Sequence, residues 1–476
     1  MNRQQLSRGI LSALLASLAS CAVGPDYQRP EVGQQTSYKE AHDWKMAAPG
    51  DATSRGKWWE VFGDRDLNAL VEQVAINNQN LKIAEAKFRQ AEALGNASRA
   101  GFFPTISASA AETKSSRGGA NSSTGAAFGT STSHNLSANV SWELDLWGAI
   151  RRQVETSDAN IQASAADLES ARLSAQSTLA AAYFQLRVND AQKQILNKTV
   201  VGYAKSLELT NNRYNVGVAG RVDVAQAETQ LKSAQAQAID LGVQRAQLEH
   251  SIALLIGKAP GNFALAETAW SIALPSIPLA LPSNLLERRP DVASAERRAA
   301  AANAQIGVAK AAYFPTLTLT GNGGYSSPSL ANWISAPNRF WSLGPALAVS
   351  ILDFGKRGAA NDQALAVYDQ TVATYRQTVL QAFQDVEDNL AAINILTAEA
   401  IVQEEAVHAA RESVALTINQ YKAGTVSYLN VVSVQTALLS NERTAMALKG
   451  QQLAASVGLI KALGGGWVSG LSTTTN

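Results

Sequence analysis

The sequence predicts a mainly helical chain with four membrane-type β-strands, laid out as two copies of one plan. Three observations predict it. Short motifs recur at a nearly fixed offset, two segments alternate apolar and polar residues, and long stretches contain no proline. Repeats come first, because a missed repeat misassigns the whole architecture. "FFPTIS" at Phe102 matches "YFPTLT" at Tyr313, and "LDLWG" at Leu144 matches "LDFG" at Leu352. "RYNVGVAGRVDVAQAE" at Arg213 matches "QYKAGTVSYLNVVSVQ" at Gln420. The offsets drift only from 211 (313 − 102) to 207 (420 − 213), so two halves meet near "ERRPDV" at Glu287.

The N-terminus reads as a lipoprotein signal peptide over residues 1–20. Arg3 and Arg8 make a positive n-region, and the apolar stretch from Gly9 to Leu18 is too short to span a bilayer. "LASC" resembles a bacterial lipobox, which makes Cys21 the mature N-terminus, carrying a diacylglycerol thioether and an N-acyl chain. An ordinary secretory peptide with an incidental cysteine is the alternative. Cys21 is the only cysteine, so no disulfides follow. Ala22 stands where an Asp would suggest retention at the inner membrane.

Each half then runs in the same order. A helix comes first, "NLKIAEAKFRQAEAL" from Asn80 and "DVASAERRAAAANAQIGVAKAA" from Asp291, closed by Pro104 or Pro315. A β-hairpin follows, over residues 103–147 and 314–354. Leu136, Ala138, Val140, Trp142, Leu144 and Leu146 alternate with polar residues over the length of a tilted membrane strand. In the second hairpin Leu343, Leu347, Val349 and Ile351 hold the odd positions with Pro345. Phe102, Phe103, Trp147, Tyr313, Phe314, Phe340, Trp341 and Phe354 gather near strand ends, as in the aromatic girdles of membrane barrels. The "KSSRGGANSSTGAAFGTSTS" loop is small and polar. A soluble half-buried hairpin alternates in the same way.

A long helix comes next. Between Gly148 and Tyr214 there is no proline and one glycine, Gly202. Fully helical, that is on the order of 100 Å at 1.5 Å per residue. Ile161, Ala165, Leu168, Ala175, Leu179, Ala182 and Leu186 fall on heptad spacing. Leu365, Tyr368, Val372, Tyr375, Val379, Phe383, Val386, Leu390 and Ile393 do so with one stutter. Glycine-containing turns at 214–223 and 421–430 fold each helix back into Val224 to Ile256 and Val431 to Leu463. The segment from Trp270 is broken by Pro275, Pro278 and Pro282 and reads as a connector.

The chain carries 40 basic and 39 acidic residues, which gives no reason to expect nucleic acid. His42, His134, His250 and His408 are scattered without metal-ligand spacing, "IGKAP" lacks the upstream glycine of a P-loop, and no GxSxG occurs. No catalytic residue, metal or cofactor is expected beyond the lipid on Cys21. Four strands cannot close a barrel, since single-chain barrels start at about eight. The strands therefore pair between subunits or lie outside a membrane; two chains supply eight and three supply twelve.

"CAVGPDYQRP", "WWEVFGDRDLNALVEQVAINNQNL" from Trp58, both FPT junctions, the tip repeats and "ALGGGW" from Ala462 resemble TolC-like outer membrane factors, in particular the NodT-type efflux lipoproteins. The similarity covers essentially the whole mature chain; Arg65 departs from a frequent Pro. The resemblance implies a homotrimer, with a twelve-stranded outer-membrane β-barrel continuous with a periplasmic α-helical barrel. It implies a cell-outer-membrane duct in contact with lipid, joined to a periplasmic adaptor and an inner-membrane RND-type transporter. In its terms, residues 21–64 form the N-terminal equatorial segment, 65–286 the first repeat, 287–463 the second and 464–476 a tail. Energy for transport comes from the partners. A duct for type I protein secretion and a coiled-coil structural lipoprotein without a pore are the alternatives, and drugs, metals and organic acids all remain open as cargo.

The resemblance also places the periplasmic gate and adaptor contact at the tips, where Tyr214, Gly217, Asp223, Tyr421, Gly424, Asn430 and Ser433 match. Gly217 and Gly424 suit a left-handed helix end. Asp223 has two readings. Three copies about an axis make a carboxylate ring favouring cations. As a residue, Asp223 suits an N-cap with Gln226 three positions on, as Asn430 does with Ser433. Asp or Asn in both copies favours the cap. The family's known carboxylate gate matches Asn430 and Ser433, neither of which is acidic, so no charged gate is carried over.

Overall fold

The computed structural model describes residues 22–32, 56–116, 130–268, 274–275 and 289–465. The signal peptide, Cys21, most of the first hairpin loop, the proline-rich connector and the tail beyond Gly465 lie outside the described residues. The helices are α1 (Arg65–Asn77), α2 (Gln79–Ala100), α3 (Ala149–Asn215), α4 (Arg221–Leu255), α5 (Pro290–Ala311), α6 (Lys356–Ala423) and α7 (Tyr428–Ala462). The strands are β1 (Thr105–Ser116), β2 (Thr130–Leu144), β3 (Thr316–Ser327) and β4 (Arg339–Ala348). Helix α3 runs 67 residues and α6 runs 68, each without a break. In α6 Val372, Tyr375, Val379, Phe383, Val386 and Leu390 are all buried, at the spacing read from the sequence. In α3 Leu179 and Leu186 are buried, but upstream Ala163 and Ala166 take the inner positions expected of Ile161 and Ala165. Small side chains sit where the backbones approach.

Two compact units divide the chain, and each draws on both repeats. One comprises Met1–Glu31, Phe88–Ser164 and Ala295–Tyr375; the other comprises Val32–Lys87, Ala165–Ser294 and Arg376–Asn476.

The first unit holds one antiparallel sheet in the order β1-β2-β3-β4. Its register separates the faces. Ile106, Val140, Gly321 and Leu343 lie in one row, and Ala108, Ala138, Gly323 and Trp341 in the next row on that face. Ser107, Asn139, Asn322 and Ser342 form a row on the opposite face. One apolar and one polar face is the pattern of a membrane barrel strand with lipid outside and water inside. The outer edges of β1 and β4 pair with nothing among the described residues. Strand β4 ends at Ala348, so Val349 and Ile351 lie past it, and Leu146 lies past β2. Their alternation continues, but no neighbouring strand reaches them.

The N-terminal strap also belongs to this unit. Val23 N–H donates to the Trp147 carbonyl at 3.0 Å, and Asp26 pairs with the buried Arg152 at 2.8 Å. Tyr27 donates to Glu296 at 2.7 Å, and Arg29 donates to the Tyr375 hydroxyl at 3.1 Å. Burial and the neighbouring Glu296 carboxylate push the Tyr27 phenol far above its ordinary pKa. Gly24, at φ +110°, lies against Gly307, leaving no room for a side chain.

The second unit is built on Trp58, Trp59, Phe62, Leu67, Val71, Tyr183, Phe184, Ile252, Ile256 and Leu453. Asp64 caps α1, accepting from Leu67 N–H at 3.0 Å, and also accepts the Tyr183 hydroxyl at 2.8 Å. Beside it, buried Asp190 takes Arg245 at 2.8 Å and Arg187 at 3.5 Å. These arginines also hold the carbonyls of Leu265 and Ala266, at 2.6 and 2.7 Å, and so tie the chain leaving α4 to α3. Removing one partner of a buried ion pair strands the other charges, at a cost of about 3–5 kcal/mol. Asp190→Ala should therefore lower the thermal unfolding midpoint in detergent by several degrees, whereas Lys193→Ala, at a more open pair, should barely move it.

Candidate functional site: the helix tips

Both tips lie in the second unit, and each forms where a long helix ends on a left-handed glycine. Gly217 has φ +81° and Gly424 φ +79°, and in each case the glycine N–H donates to the carbonyl three residues back, that of Tyr214 or Tyr421. A non-glycine residue there costs about 1 kcal/mol or more. The return helices start earlier than the sequence suggests. Helix α4 begins at Arg221 with Gly220 as N-cap, and α7 begins at Tyr428 with Ser427 as N-cap.

This corrects the reading of Asp223 and Asn430, which occupy the third helical position rather than the cap. Asp223 still serves the helix start, because Gly220 N–H donates to its Oδ2 at 3.1 Å. It supplies the returning half of a capping box, with no hydroxyl on Gly220 to complete it. The Asn430 N–H donates to the Ser427 carbonyl at 3.2 Å. The Ser433 hydroxyl donates to the Leu429 carbonyl at 3.1 Å, within its own helix.

The structure brings Tyr421, Gly424 and the end of the first tip together; it leaves Tyr214, Gly217, Asn430 and Ser433 facing outward. Tyr421 is buried with Tyr428, ring centroids 5.4 Å apart and edge to face, among Ala227, Val431, Leu207 and Ile418. The Tyr421 hydroxyl donates to Thr210 Oγ1 at 3.4 Å. One important residue had no signal of its own in the sequence. Arg213 lays its guanidinium 4.7 Å from the Tyr421 ring centre and donates to the carbonyls of Tyr421 and Lys422 at 2.9 and 3.0 Å. A cation at a helix C-terminus offsets the exposed carbonyls and their dipole. The first tip thus caps the last turn before the second. Only the basic residue ending each copy, Arg213 or Lys422, could have hinted at it.

Above this cluster a groove of about 630 Å³ opens, lined by Lys198, Tyr203, Lys205, Arg411, Ile418 and Lys422 among others. Val216, Val218, Val222 and Leu429 stand exposed around the tips. Such a surface offers packing and positive charge. It presents no nucleophile with a partnered base.

The family profile described as "Outer membrane efflux protein" matches residues 70–258 and 281–465. This chain belongs to the outer membrane efflux protein family. Among its relatives is the probable efflux pump outer membrane protein TtgC of Pseudomonas putida, 31% identical over 97% of this chain and 96% of that one. The pyoverdine export outer membrane protein OpmQ of Pseudomonas aeruginosa is 32% identical over 90% of this chain and 91% of its own. The solved outer-membrane channel OprN superposes with a TM-score of 0.85 at 29% identity, covering 94% of this chain and all (100%) of that one. CusC does so at 0.84 with 26% identity, over 94% and 100%. These family members are outer-membrane channels rather than enzymes.

Burial, with smaller contributions from Tyr421, Tyr203 and Asp223, raises the Tyr428 phenol to about 12. A folded pKa above the unfolded value, about 10, means this stabilisation is complete below pH 10 and is lost as pH rises toward 12. Relative to the base-catalysed rate of the unfolded chain, hydrogen-exchange protection across residues 418–432 should hold up to about pH 10 and fall above it. Tyr428→Phe should remove that loss of protection; an unchanged profile would place its cause elsewhere.

Proposed function

We propose that the chain is the outer-membrane exit duct of a tripartite efflux pump, exporting small molecules as a homotrimer. The observation that carries this reading is the sheet. It has one apolar face, one polar face and two open edges, and three copies supply the twelve strands of a closed, water-filled barrel. Relatives whose printed names give toluene efflux, antibiotic efflux and pyoverdine export support small-molecule cargo over protein secretion. The exposed valines and basic groove at the tips suit a helical periplasmic adaptor, which in turn meets an inner-membrane transporter. In this reading the duct itself needs no catalytic group.

Cys21 carries the lipid anchor in this reading. The residue after it, Ala22, rests on Gly148, and Val23 bonds to Trp147 at the end of β2. The chain following Cys21 thus lies beside the aromatic belt of the sheet, the level at which a lipid interface falls.

Reconstituted into planar bilayers, the protein should give discrete conductance steps; their absence would favour the structural tether. Asp223→Ala should leave the step size unchanged and accelerate exchange at the start of α4. A larger step would make Asp223 a gate rather than a helix-start residue.

A further inference from the structure

We propose that copies of this chain join by repeating, between β4 of one and β1 of the next, the junction that β2 and β3 make within one chain. The contact is sealed by Phe354 stacking on Phe103 of the neighbouring copy. This rests on the homotrimer reading and adds the register and the residues.

The template is inside the chain. Trp147, just past β2, stacks on Phe314, just before β3, with centroids 4.7 Å apart and planes 24° apart. Its indole N–H donates to the Pro315 carbonyl at 2.7 Å. In the repeat, Trp147 corresponds to Phe354 (354 − 147 = 207) and Phe314 to Phe103 (314 − 103 = 211). Neither counterpart is covered: Phe354 is 93% exposed and Phe103 is 70% exposed. They flank the two unpaired sheet edges. Both rings therefore await a partner that the same chain supplies in the first copy and a second chain supplies here.

The same offsets carry the register across. Leu144 opposite Leu317 becomes Ile351 opposite Ile106, Trp142 opposite Leu319 becomes Val349 opposite Ala108, and Val140 opposite Gly321 becomes Leu347 opposite Ala110. Every one of these new pairs lies on the apolar face. The pairing also accounts for Val349 and Ile351, which keep the alternation beyond β4 yet have no strand beside them, Ile351 being 91% exposed. On the next strand they extend β4 by one further turn of the pleat. The alternative offset of 208, from Asp145 to Asp353, would place Ser350 opposite Ala108 and turn β4 over. A one-residue slip exchanges the two faces, so the apolar stripe selects 207.

Phe354 fits this role in its backbone as well. Phe354 has φ +52°, the one non-glycine residue with positive φ among the described residues. Bulky side chains rarely take this conformation. Here it goes with an aromatic ring that is almost fully exposed.

Cysteine pairs test the register in the full-length protein in outer membranes. Directly opposed strand residues come within reach of a disulfide. Ala108→Cys with Val349→Cys, and Ala110→Cys with Leu347→Cys, should each oxidise to covalent dimers and trimers, while the four single variants, which keep Cys21, should not. Preferential linkage of Ala108→Cys to Ser350→Cys, Leu347→Cys or Ile351→Cys would overturn the register and leave the trimer standing. A trimeric mass with no linkage at any pair would overturn the seam, and a monomeric mass would overturn the assembly itself. Phe354→Ala and Phe103→Ala should each lower the temperature at which the complex dissociates, and the double variant should fall no further than the worse single. Additive losses would overturn the stack. This second readout needs no engineered disulfide.

Discussion

An apolar-faced sheet cannot leave backbone groups open toward lipid. Each unpaired N–H or C=O in hydrocarbon costs several kcal/mol, and only a closed ring of strands removes them all. This chain brings four strands, with both outer edges unpaired among the described residues. The other features of the first unit follow from that incompleteness. The exposed apolar row from Ile106 to Leu343 suits lipid, the Ser107 to Ser342 row suits a wetted interior, and aromatic residues at the strand ends sit where the interfaces fall. The strap from Val23 to Arg29 pins the chain just downstream of Cys21 to the same level.

The second unit meets a different demand, holding very long helices together in water. It does so with a tight apolar core near Trp58 and Tyr183, a buried Asp190–Arg187–Arg245 cluster, and a smaller aromatic core at the tips. The two tips are not equivalent. Arg213 of the first caps the helix of the second, whereas Lys422 of the second is exposed. The second tip is therefore supported by the first, and motion at Arg213 would loosen Tyr421 and the turn at Gly424.

Much of this was legible in the sequence, for identifiable reasons. Period-two alternation survives because each strand has lipid on one side and water on the other. The seam of α6, from Val372 to Leu390, was legible because its large side chains keep heptad spacing. The seam of α3 was less so, because alanines occur at inner and outer positions alike. Helix starts were misplaced by three residues: Gly220 and Ser427 are the caps, and Asp223 imitates one from the third position. The Arg213 clamp and the Asp190–Arg245 pair were invisible, since their partners lie 208 and 55 residues away and no periodicity joins them. The seam between copies needed both sources. The repeat supplies the correspondence, and the structure shows which rings are left uncovered.

The central claim is that one chain is a third of a barrel. The mass of the complex extracted from outer membranes in mild detergent, with lipid and detergent accounted for, tests it most directly. Three copies, giving twelve strands, is the predicted result; a two-copy complex with eight strands, or a stable monomer, would contradict it.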